Sequence, residues 1–251
     1  MNENSVEVIS NEALIQLPTN QLLNKFGSGS HAPGSGSAAA LMGLLSSKLI
    51  LTVASISLQK EEYRKDYKVI EFLASQISNE IEPRLLKLFE LDAVVFNDVI
   101  KARVARDNST DEKEKRHHGE LALQKLREAT EIPFEICEIC IKLIDLGASM
   151  FDIGFKSARG DTGAAISAGV AGAMAGIFVI NLNLKSFRES DWAIEKRKLC
   201  DKLHKELEKK QLEAFSKVMT LRAEDVNSMS FPFYDETDTS APLTPRRATE
   251  T

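Results

Sequence analysis

The chain has 251 residues, 43% of them hydrophobic, enough for one sizeable core, and its net charge of −5 with a pI near 5.6 gives no electrostatic reason to approach nucleic acid or anionic lipid. Three cysteines, Cys137, Cys140 and Cys200, lack the paired spacing of a disulfide framework and point to a reducing compartment. The polar, acidic stretch Met1 to Ser10 has neither the basic start nor the apolar centre of a secretory signal, so the expected location is the cytoplasm.

Alanine, leucine, lysine and glutamate dominate and strand-like alternation is nearly absent, so the expected fold is all-α, a bundle of six or seven helices. A short helix is predicted near Asn11 to Phe26 with a break at Pro18. After the Gly/Ser loop Gly27 to Gly34, a second helix begins near Ser35 and continues to about Leu58. An amphipathic segment follows from about Glu61 to Ile81, and Pro83 separates it from a helix carrying Arg84 to about Ala105. The charged stretch Arg106 to Lys115 reads as a loop, leading to a helix near Glu112 to Thr130 and another opening at Pro133 and ending near Gly147. The next helix runs from Asp161 to about Leu184, and a charged one follows, roughly Glu189 to Ala223, with i, i+4 pairs such as Glu206 and Lys210. Residues 1–226 thus read as one helical domain and 227–251, rich in Ser, Thr, Pro and acidic residues, as a disordered tail. The tail's Pro242 to Arg247 reads as solvated chain rather than a docking motif.

Two helices, Ser35 to Ile56 and Asp161 to Leu184, are dense in Gly, Ala and Ser, which lets helix backbones approach closely at the centre of a bundle. The second contains Gly172-Ala-Met-Ala-Gly176, a spacing that also marks membrane helix pairs. Lys48 in the first run, Asn181 and Asn183 at the end of the second, and the lack of aromatic belts or flanking basic clusters weigh against insertion, so no membrane is expected. Cys137 and Cys140 form C-x-x-C inside an apolar run, and the histidines His31, His117, His118 and His204 offer no complementary spacing. The cysteines read as packing residues, and no metal is expected.

Four motifs occur in order along the chain. The stretch Ala32-Pro-Gly-Ser-Gly-Ser-Ala-Ala-Ala40 is similar to the Pro-Gly-Gly-Gly-Ser-x-Ala-Ala signature of the formiminotetrahydrofolate cyclodeaminase / methenyltetrahydrofolate cyclohydrolase family, with Ser35 replacing the central glycine. Asp92-Ala-Val-Val-Phe-Asn97 with Ala102 resembles that family's Asp-x-x-Ala-Phe-Asn helix, and Arg116 with Ala122 to Pro133 resembles the pattern after it. Gly160-Asp-Thr-Gly-Ala-Ala165, followed by Ile180-Asn-Leu-Asn-Leu-Lys185, resembles a Ser-Asp-x-x-x-Ala helix ending in Asn-Val-x-Ile-Asn-Leu. Gly160 stands for the serine and Val179 for the first asparagine, so the register at Asn181 and Asn183 stays open. The similarity covers about Gln21 to Phe187.

The resemblance implies an enzyme acting on the carbon that bridges N5 and N10 of a tetrahydrofolate derivative, with that folate as substrate, no prosthetic group, and a homodimeric bundle. A chain without a recognisable formiminotransferase segment favours the cyclohydrolase, which adds water to the methenyl bridge. Cyclodeaminase, which expels ammonia from the 5-formimino form, is the alternative, and a non-catalytic helical ligand-binding relative is a third reading. Such chemistry needs a proton shuttle, charge complementary to a cation and a slot for the pterin. Asp161 suits the shuttle or, equally, an N-cap. Ser37 is the second catalytic candidate. Gly34, Ser35, Gly36 and Ser37 present backbone N–H groups at a helix start, either as an anion or carbonyl site or as a capped turn. Asp92, Asn97, Asn181 and Asn183 are candidates for binding the pterin, and Arg106 and Arg116 suit an anionic glutamate tail. His117 and His118, beside an acidic loop, are expected to face solvent.

Overall fold

The computed structural model describes residues 13–188 and 190–218, together with Leu221. Among these residues there is no strand, and seven α-helices occur: α1 Thr19–Phe26, α2 Ser35–Leu58, α3 Tyr67–Gln76, α4 Glu82–Asn108, α5 Glu112–Ile153, α6 Arg159–Leu184 and α7 Asp191–Val218. The tail expected over 227–251 lies outside the described residues. A 3₁₀ turn at Leu14–Gln16 precedes α1, and its free N–H groups at Leu14 and Ile15 donate to the two carboxylate oxygens of Glu90 on α4, at 3.1 and 2.9 Å. That contact ties the first described segment to the bundle.

Of two prolines expected to divide helices, Pro83 does and Pro133 does not. Pro83 lies in the first turn of α4, where its missing N–H costs little. The chain passes from α3 into α4 through a π-helical turn, Ile77–Ile81, whose wider winding makes room for the ring where an α-turn would clash at Asn79. Pro133 sits inside α5, which runs unbroken for 42 residues. Pro133, Thr130, Ile132 and Phe134 are all buried, so packing on both sides outweighs the one lost backbone bond.

The two small-residue helices lie at the centre with α5. Cys140 of α5 sits between Gly43 of α2 and Gly172 of α6. A Cβ at Gly172 would stand 2.8 Å from its Sγ and 3.0 Å from the Ala39 carbonyl. Burial pushes the Cys137 thiol up to about 12 and raises Cys140 as well, so neither is a thiolate near neutrality. They pack as small hydrophobes. Replacing Gly172 by alanine is therefore expected to lower stability by about 1–3 kcal/mol through overpacking, against a helix-propensity gain of about 1 kcal/mol. Gly160→Ala, with nothing within 4 Å of its Cβ, should keep the gain. Urea unfolding of the two variants checks the contrast.

α2 and α6 run antiparallel. Gly172 meets Ala39 and Met42 near the start of α2, while Ser57 at its end accepts the Phe155 N–H at 2.8 Å just before α6. By length and composition both are apolar enough to cross a membrane, yet about half of each apolar window is buried in the bundle (50% and 44%), and Lys48 pairs with Glu82 of α4.

Candidate active site

Gly34 is the N-cap residue of α2 and offers no side chain, so the first-turn N–H groups need other partners. The Ser37 N–H finds one on α4: it donates to Asp92 Oδ2 at 2.7 Å, and the Ser37 hydroxyl, wholly buried, lies 3.0 Å from the same oxygen and 3.1 Å from the Phe89 carbonyl. A carboxylate from another helix thus caps α2, placed where the helix dipole favours negative charge. The expected anion site is in this respect already filled by the protein; the N–H groups of Ser35 and Gly36 make no hydrogen bond among the described residues.

Gly36 makes the arrangement possible. A Cβ there would lie 2.1 Å from Asp92 Oδ1 and 2.5 Å from Cγ, so the carboxyl group occupies the space a side chain would take. Asp92 retains 9% exposure, and Oδ1 makes no hydrogen bond among the described residues, in contrast to Oδ2. Burial raises the Asp92 carboxyl above its ordinary value, opposed by the hydrogen bonds from the Ser37 hydroxyl and backbone. The pair is a buried, oriented carboxylate with one free edge, able to exchange a proton and to face a cation.

Asn97 is solvent-exposed and five residues along α4, so it does not share the face of Asp92. At the C-terminal end of α6 the two asparagines differ. Asn181 Nδ2 is engaged by the Ile177 carbonyl at 3.0 Å and by Cys200 Sγ of α7 at 3.3 Å, whereas Asn183 is buried with a side-chain amide that makes no hydrogen bond among the described residues. Asn183 therefore has donors and an acceptor to spare. Just beyond it Phe187 packs against the cluster of Val99, Leu126 and Ala129, which draws the end of α6 towards α4 about two turns past Asp92.

Arg106 and Arg116 meet in one cleft of about 510 Å³ together with Arg103 and Ser186. Arg106 is held by Asp107 at 2.8 Å, while Arg116 makes no ion pair among the described residues. Arg103 was missed from the sequence; its signal is the i, i+3 spacing to Arg106 on α4. From Asp92 to Arg103 the helix rises about 16 Å, so carboxylate and arginines lie along one side of the same end of the bundle. His117 is exposed and His118 half-buried beside this cleft.

Asp161 stands apart. α6 begins at Arg159 with Ala158 as N-cap residue, so Asp161 is an exposed first-turn carboxylate and not the cap. Ile166, one turn further on, lies with Ile50 against Gly147, and Ile50 is about 20 Å along α2 from Ser37. Within one chain Asp161 and Ser37 occupy opposite ends of the bundle.

The sequence profile of the formiminotransferase-cyclodeaminase family matches residues 18–202. The chain is 26% identical to the methenyltetrahydrofolate cyclohydrolase of Methylorubrum extorquens over 178 residues, covering 70% of this chain and 83% of that protein. The crystal structure of formiminotetrahydrofolate cyclodeaminase from Thermotoga maritima shares the fold with a TM-score of 0.70 at 17% identity, over 82% of this chain and 98% of that one.

Proposed function

The chain belongs to the formiminotransferase-cyclodeaminase family, and from that premise we propose that it is an enzyme of folate one-carbon metabolism, a methenyltetrahydrofolate cyclohydrolase. The observation that carries the assignment to a site is the Asp92 carboxylate, buried, held through one oxygen by Ser37 and left open at the other by Gly36. A fixed anion at that edge suits the cationic methenyl bridge and costs no reorganisation as the reaction proceeds. Water adds to the bridging carbon and gives up a proton to a carboxylate. The C–N5 bond of the tetrahedral adduct then breaks as N5 takes a proton, and loss of the hydroxyl proton leaves the formyl group on N10. Ser37, with its proton engaged, positions Asp92. The Asn183 amide is free to hold the pterin, and Arg103, Arg106 and Arg116 suit the glutamate carboxylates.

Ammonia release from 5-formimino-tetrahydrofolate passes through an equivalent tetrahedral carbon, and the solved relative named for that activity keeps it as the second reading. The methenyl bridge absorbs in the near ultraviolet. Loss of that absorbance from methenyl-tetrahydrofolate supports hydrolysis, its appearance from the formimino compound supports deamination, and no change with either sinks the proposal.

If the arginine cleft holds the glutamate end, Arg116→Gln should raise KM about five- to tenfold, equivalent to about 1–1.4 kcal/mol, with kcat unchanged. A fall in kcat at constant KM would move the cleft out of substrate binding.

A further inference from the structure

α7 runs parallel to α5: its Lys196, Lys210 and Lys217 pair with Glu131, Asp145 and Asp152, each 65 positions earlier. The chain turns from the end of α5 into α6, so α7 ends where α6 begins. At that corner lies an apolar groove with about 190 Å³ of open space, lined by Phe151, Gly163, Ile166, Val170, Ala214 and Phe215 among others. Phe151 and Ile166 belong to the buried interior, whereas Phe215 stands 61% exposed at the lip. Further along α6, Gly169, Gly172 and Gly176 give up side chains to neighbours that a Cβ would approach to 2.8–3.1 Å; at Gly163 a Cβ would meet nothing within 4 Å. Glycine is a poor helix former, and no described residue uses the room it leaves there.

We propose that this groove is the docking site of the chain's own segment Phe231-Pro-Phe-Tyr234, which folds back past the end of α7 and lays its rings between α6 and α7. Phe231, Phe233 and Tyr234 are the only aromatic residues in the sequence outside the described residues, three within four positions of an otherwise polar stretch. Thirteen positions separate Val218 from Phe231, up to about 40 Å of chain, while the groove from Gly163 to Val170 extends only about 10 Å along α6. The segment therefore reaches it without strain. Pro232 biases Phe231 to extended backbone, which sets the two phenylalanines on one side about 6–7 Å apart. An apolar cavity of about 150 Å³ takes one benzene ring, so one phenyl group fills the groove and the other packs on exposed Phe215. Charge agrees with this placement. Asp235, Glu236 and Asp238 follow the aromatic run, and the mouth of the groove carries Lys156 and Arg159 at the start of α6, where the helix dipole also favours anions over the lone first-turn Asp161. The Arg159 guanidinium lies 4.9 Å from the centre of the Phe151 ring, and Lys217, paired with Asp152, lies 5.7 Å from it. The docking stands independently of the folate chemistry.

Chymotrypsin digestion of the full-length protein, followed by mass spectrometry, tests the docking. The bonds after Phe233 and Tyr234 are expected to be cut at least about tenfold more slowly than in a synthetic peptide of residues 226–251, because a docked segment is cleaved only when it leaves the groove. Trypsin, acting at Arg246 and Arg247, should not distinguish the protein from the peptide. Gly163→Leu puts a side chain into the groove where no described residue obstructs it, so the variant should keep its helical circular dichroism and lose the protection. Phe231→Ser/Phe233→Ser changes the occupant alone and decides the matter even if the groove variant fails to fold. In it the bond after Tyr234 should be cut at the peptide's rate and Tm should fall by about 3–6 °C, the shift that a tenfold preference gives in a domain of this size. Wild-type cleavage at the peptide's rate, or protection that survives either substitution, overturns the proposal. Protection that rises with protein concentration would mean that another molecule's tail fills the groove, and overturns docking within the chain.

Discussion

Gly36→Ala is expected to reduce folate turnover by at least about a hundredfold, the range associated with loss of a positioned proton-transfer group. The added Cβ would fall 2.1 Å from Asp92 Oδ1 and 2.8 Å from Oδ2. Asp92 is short, and its Oδ2 is pinned by the Ser37 backbone and hydroxyl, so the carboxyl group must leave its place and surrender both bonds. Bonds to a charged acceptor contribute about 1.5–3 kcal/mol each, while alanine in a helix regains about 0.5–1 kcal/mol, so a net destabilisation of about 2–5 kcal/mol is expected. The second arm of a double-mutant cycle reverses the sign. In an Asp92→Ala background the carboxyl atoms that make this clash are gone, and Gly36→Ala should stabilise. Turnover at the wild-type level in a folded Gly36→Ala protein would show that Asp92 is not needed where it sits.

The fold was legible because helix period and composition persist through the elements, and α2 and α6 begin within two residues of the expected positions, the first at Gly/Pro punctuation. Pro133 misled because local propensity places a break at proline, whereas burial of neighbours such as Ile132 and Phe134 holds the chain helical across it. The site was legible as a set of residues and not as an arrangement. Asp92, Gly36 and Ser37 were each marked by a motif, yet 55 positions separate Asp92 from Ser37, and no local pattern reveals that a carboxylate fills the space beside the glycine. Arg103 carried only a spacing that solvated helix faces share. Asp161 and Ser37 were both read as catalytic candidates, whereas antiparallel packing of α2 and α6 sends their motifs to opposite ends.

Asp92→Asn isolates the charge of the carboxylate from its shape. Asparagine can still accept from the Ser37 N–H and hydroxyl through Oδ1, and its amide nitrogen takes the place of the free oxygen beside Gly36, so the capped helix start should survive. Turnover is expected to fall by a factor of about a hundred to ten thousand, because the remaining group can neither take a proton from water nor offset a cation. Stability should move the other way as pH rises. Burial, the largest influence, raises the folded-state pKa of Asp92 over its unfolded value, so the folded protein holds that proton more tightly than the unfolded chain. The stabilisation this gives is fully present below the unfolded pKa of about 3.9 and is lost as pH increases through the higher folded value. The asparagine side chain of the variant never ionises and escapes the loss. The melting temperature of the variant relative to wild type is therefore expected to climb as pH rises from about 4 through the folded-state pKa of Asp92 and then level off. A difference that stays constant across this range would mean that Asp92 titrates alike in folded and unfolded chains, and a variant as active as wild type would remove Asp92 from the chemistry and leave it the cap of α2.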